Sequence, residues 1–103
     1  MPPDPNIERL ESTKANDPVI GPLVDAYRAD LVEMERGLRA SIGRCDWQAV
    51  YEIAHAIKGN ASMYGFEPLS EIASVLCGAC ASKSIESERL AQELASLCAR
   101  AAA

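Results

Sequence analysis

Hydrophobic positions recur at intervals of three and four along most of the chain, the spacing of amphipathic helices. The first run is Ile20, Leu23, Val24, Tyr27, Leu31, Met34, Leu38 and Ile42. Arg28, Asp30, Glu33, Glu35, Arg36 and Arg39 fall on the other face. This pattern predicts a long first helix, started by Asp17-Pro18 or delayed to Gly21-Pro22, and ended by Gly43. Asp46 is the expected N-cap of a second helix. Its stripe is Val50, Ile53, Ala54, Ile57, Ala61 and Tyr64, and Gly65 breaks it. Glu67-Pro68 opens a third helix, with Leu69, Ile72, Ala73, Leu76 and Cys80 on one side. A fourth starts near Ser84 or Ile85 and turns Leu90, Leu94, Leu97 and Ala101 inward, with Arg100 favourably placed at its negative end.

No alternating strand pattern or repeat interrupts these runs. Four amphipathic helices with short connections predict an all-α protein, an antiparallel up-down four-helix bundle. Residues 1–16 form an N-terminal arm in this reading. Asp4-Pro5 could start a short helix reaching Leu10 or Glu11, Ser12–Asn16 read as a linker, and the bundle occupies residues 17–103.

The length of 103 residues suits one domain. A net charge of −5 without basic runs argues against nucleic acid as a partner. No apolar run approaches the roughly 20 residues that span a bilayer, so no membrane insertion is expected. Met1-Pro2-Pro3-Asp4-Pro5 has neither region of a signal peptide, and a cytoplasmic location is expected. The cysteines are Cys45, Cys77, Cys80 and Cys98. Cys77 and Cys80 have C-x-x-C spacing, but they lie in a helical pattern without a second pair or a spare histidine. Packing residues are the simpler reading of all four, and no metal site is expected.

The chain has one histidine. On the second helix, His55 lies about 140° round from the apolar stripe, at 100° per residue. It therefore faces solvent. Lys58 and Gly59, three and four residues on, share its face. One offers a positive charge and the other no side chain. Glycine inside a helix costs about 1 kcal/mol against alanine, which makes sense where another molecule must approach closely. This combination suits a histidine that accepts and releases a phosphoryl group.

The run His55-x-x-Lys58-Gly59, followed by small residues and Gly65, resembles the signature of the histidine-containing phosphotransfer (HPt) domain. The turn Gly43 to Trp47 before it and Phe66-Glu67-Pro68-Leu69 after it strengthen the resemblance, which covers roughly residues 17 to 100. Three positions depart from the family pattern. Ala56 stands where glutamine is frequent, Ser62 where glycine is frequent, and Cys77 near a position often held by glutamate.

The resemblance implies a histidine phosphocarrier in a multistep two-component phosphorelay. His55 is then the phosphorylated residue, Lys58 the counter-charge for the phosphoryl group, and Gly59 the clearance for the partner. Tyr51, Ala56, Ser62 and Met63 are candidate phosphoryl or docking contacts. Tyr64, Arg28 and Glu35 are weaker ones. Response-regulator receiver domains and a hybrid sensor histidine kinase are the implied partners. Magnesium would belong to the receiver, and the chain itself needs no cofactor. Without a nucleotide loop it is a carrier, not an enzyme, and a monomer is expected. The competing readings are a helical adaptor that is never phosphorylated, a thiol-based metal or redox module, and a purely structural helical bundle.

Overall fold

The structure is a computed structural model describing residues 8–103. The described residues form four helices: α1 (Gly21–Gly43), α2 (Trp47–Asn60), α3 (Glu67–Ala81) and α4 (Ser87–Ala102). Each packs on its neighbour in sequence, and α4 closes the bundle against α1. Connections this short reverse the chain between successive helices, giving the expected antiparallel up-down order. Leu31 and Leu38 of α1, Val50 and Ile57 of α2, Leu69 and Leu76 of α3 and Leu94 of α4 meet in the core, all fully buried.

Asp17 sits before α1 rather than within it. Its carboxylate accepts from the backbone N–H groups of Val19 and Ile20, both at 2.8 Å. These bonds hold its pKa below the usual aspartate value. Regular helix begins at Gly21, with Pro22 in the first turn. Asp46 caps α2 as its sequence predicts, accepting from the Ala49 N–H at 3.2 Å.

Among the described residues three turns end in a left-handed residue, and one of these is glycine: Cys45 (φ 54°), Lys83 (φ 55°) and Gly65 (φ 85°). Gly43 is the last residue of α1, as expected, and the left-handed residue is Cys45, two positions on. At Cys45 the chain closes by two bonds, Cys45 N–H to the Ile42 carbonyl (3.0 Å) and Asp46 N–H to the Ser41 carbonyl (2.9 Å). Such closures satisfy carbonyls the helix leaves open. Lys83 repeats the arrangement after α3.

The second helix does not run as α-helix to Tyr64. It ends at Asn60, and Ala61–Gly65 form a tighter turn bonded at spacings of three, such as Tyr64 N–H to the Ala61 carbonyl. The fourth helix starts later than predicted, and Ile85 is left in the turn before it. Leu90, Leu94 and Ala101 face inward as expected, but Cys98 is fully buried and Leu97 only partly. Ala91, Ala95 and Ala101 complete that face. Small side chains there allow close helix approach.

Ser12–Asn16 do not behave as a free linker. Ser12 is buried, and its hydroxyl donates to the Tyr64 carbonyl at 2.5 Å. The Thr13 N–H donates to the Gly65 carbonyl at 3.0 Å. Glu8–Ser12 are not helical, and the remainder of the expected short helix lies outside the described residues.

Candidate functional site

His55 stands on the exposed side of α2, as the periodicity requires. The adjoining helical turns determine its surroundings. Tyr51, one turn earlier and half-buried, places its ring 5.9 Å from the imidazole at 30° between planes. Lys58, almost one turn later, is exposed, and its carbonyl accepts the Ser70 hydroxyl of α3 at 2.9 Å. The lysine lines a cleft of about 460 Å³ with Glu67, Ser70, Glu71 and Ser74. Positions 51, 55 and 58 share one helix face, so the imidazole lies between an aromatic side and a polar, cationic side.

Gly59 is exposed, and a methyl group built on its Cα would meet nothing within 4 Å. Nothing inside the bundle requires glycine there. The open space in front of it leaves room for another molecule to approach.

The remaining candidates divide. Ala56 and Met63 are exposed, Met63 at 50%. Ser62 is half-buried in the tight turn beyond α2, and its hydroxyl donates to Glu67 Oε1 at 3.4 Å. It is thus engaged within the chain. Tyr64 packs inward, stacked on Tyr27 with centroids 4.3 Å apart.

Arg28 does not belong to this surface. Arg28 is 7% exposed. Its guanidinium donates to the carbonyls of Ala101 and Leu10 and lies 5.2 Å from the Phe66 ring centroid. A long arginine on the flank of an amphipathic stripe can turn inward when carbonyls wait there. Helical periodicity gives no sign of such acceptors. Glu35 pairs along α1 with Arg39 at 2.8 Å.

Sequence reading also overlooked Phe66, a fully buried core residue. As the chain's only phenylalanine, directly after Gly65, it carried a usable signal. Glu67 was likewise read only as a helix opener.

The cysteines are dispersed. Cys45 is exposed, Cys77 and Cys98 are buried and Cys80 is half-buried. Burial pushes the Cys77 and Cys80 thiols up and the Cys98 thiol to about 12. Among the described residues no group of three or more His, Cys, Asp or Glu side chains could hold a metal ion. Nor is any helix among them long and apolar enough to cross a membrane.

The family model of the Hpt domain matches residues 20–103. The chain belongs to the Hpt family. Membership implies histidine phosphotransfer within a phosphorelay, with receiver domains as partners. The matched span contains the whole bundle of this Hpt chain and every residue of the exposed His55 face. No curated protein and no solved structure matches the chain significantly.

Proposed function

We propose that His55 carries the phosphoryl group, taking it from a receiver-domain aspartate and passing it to a second receiver. The single observation that carries this reading is the exposed imidazole between Tyr51 and Lys58, beside a glycine whose open space the bundle does not need.

The chemistry is balanced without a further reactant. An unprotonated ring nitrogen of His55 directs its lone pair at phosphorus. The new P–N bond forms as the acyl phosphate P–O bond breaks, and the aspartate carboxylate leaves with that electron pair. The other ring nitrogen keeps its proton. Transfer onward reverses these steps on the next aspartate. Lys58 offsets charge on the phosphoryl oxygens while they move between partners. Magnesium belongs to the receiver in this scheme. The Hpt chain supplies the nucleophile, the counter-charge and the clearance, which makes it a phosphocarrier rather than an enzyme. A monomer acting in the cytoplasm, fed by a hybrid sensor kinase, completes the proposal.

The test is transfer from a panel of phosphorylated receivers to the wild type and to His55→Gln. Acid-labile, base-stable label on the wild type alone is expected. A folded wild type that takes label from none of them would favour an adaptor. Label retained by His55→Gln would place the chemistry on another residue.

A further inference from the structure

Tyr51 has a second side. There it lines a groove of about 820 Å³ between the start of α2 and the α3–α4 turn. Trp47, Cys80 and Ile85 form its apolar walls, and Lys83 and Glu88 stand among its polar lining residues. Ile85 is 95% exposed, more than any other large apolar side chain of the described residues. Ser87, also in the lining, is buried. Its hydroxyl has no hydrogen-bond partner. An apolar floor, one under-used hydroxyl and flanking charges of both signs resemble the centre and rim of a protein interface.

Distance ties this groove to His55. Tyr51 and Trp47 lie four and eight residues before the histidine, about 6 and 12 Å along the helix axis. A standard protein interface covers about 800 Å² per partner, a disc of roughly 16 Å radius. A partner centred on the imidazole must therefore cover Tyr51 and reach Trp47. The surface is continuous, because the Tyr51 ring that approaches the imidazole is also a wall of the groove.

We propose that this groove is the specificity-determining contact for the receiver, which seats an apolar side-chain cluster against Trp47, Tyr51 and Ile85 while its aspartate meets His55. The inference rests on the phosphotransfer reading above. It assigns discrimination among receivers to a place apart from the reacting atoms. The His55-Lys58-Gly59 face supplies chemistry common to all receivers, whereas the groove selects by shape and by its rim charges.

A receiver that phosphorylates the wild type provides the test. Transfer to Ile85→Glu is expected to slow about tenfold, as for loss of a moderate interface contact. Ile85→Leu should restore it. Ile85 lies outside the core, so these substitutions probe the surface rather than folding. The chain has one tryptophan, and a 15N-labelled sample therefore gives one indole N–H resonance. That resonance should shift when the same receiver is added. Unchanged transfer to Ile85→Glu together with an unmoved indole signal would remove the groove and leave the carrier role standing. If no receiver labels the wild type, the carrier reading itself fails, and the assigned occupant falls with it.

Discussion

The Ser12 hydroxyl donates to the Tyr64 carbonyl at 2.5 Å across 52 residues. This bond fastens the segment before α1 to the turn that follows the histidine helix. The crossing is tight because Gly65 comes next. With φ at +85°, a Cβ there would sit 2.6 Å from the Lys14 N and 2.8 Å from the Thr13 N, and closer still to the Ser12 Oγ.

Gly65→Ala should therefore destabilise the fold by about 2 kcal/mol or more, since it adds a clash with backbone to left-handed strain. Urea unfolding measures the loss. A stability within about 0.5 kcal/mol of the wild type, the spread of neutral surface substitutions, would mean that the N-terminal segment yields without cost.

Gly59→Ala should do the opposite to stability. It meets open space and removes a helical glycine, so the fold gains up to about 1 kcal/mol. Phosphotransfer should nevertheless slow, because the added methyl stands on the partner's path. A more stable protein with slower transfer separates access from folding. Equal transfer rates would show that the receiver does not need the space.

Cys45 is held at φ 54° without being glycine. Cys45→Gly should relieve this and stabilise the bundle by about 1 kcal/mol, the usual cost of a left-handed side chain. Its exposed position leaves no packing to lose. A lower urea midpoint would contradict that account.

Arg28 joins three parts of the chain, donating from α1 to the Ala101 carbonyl of α4 and the Leu10 carbonyl of the N-terminal segment. Arg28→Met keeps most of the volume but strands both acceptors. About 2 kcal/mol should be lost, and hydrogen exchange at the Leu10 N–H, bonded to the Arg100 carbonyl, should speed up. Exchange unchanged at Leu10 would show that other bonds hold the segment.

Stability should fall at alkaline pH, where buried thiol and phenol groups are forced to ionise. Burial raises the Cys98 thiol from 9.0 to about 12, and burial pushes the Tyr27 phenol up as well. In the unfolded chain Cys98 ionises near 9.0, whereas the folded chain resists ionisation. Stability from this group is thus complete below pH 9.0 and is lost progressively as pH rises toward 12. Urea midpoints should fall across that window, and Cys98→Ala should flatten part of the slope. A slope the same in both proteins would remove Cys98 as a cause.

What the chain makes legible on its own is local. Positions repeating every 3.6 residues specify the helices and the inward stripe of each. The same count turns His55, Lys58 and Gly59 outward, because residues three and four apart share a face whatever the helix packs against. The Asp46 cap is readable for the same reason, since its partner Ala49 is three residues away. Tertiary structure decided the rest. It turned Arg28 inward to a carbonyl 73 residues distant and bonded Ser12 to Tyr64. It buried Cys98 fully and Leu97 only in part. It also brought Cys80 and Ile85 beside Tyr51, building the groove next to His55. Each of these depends on acceptors or surfaces supplied by a distant part of the chain. Periodicity along one helix measures which side is apolar, but it carries no information about which distant group will meet that side.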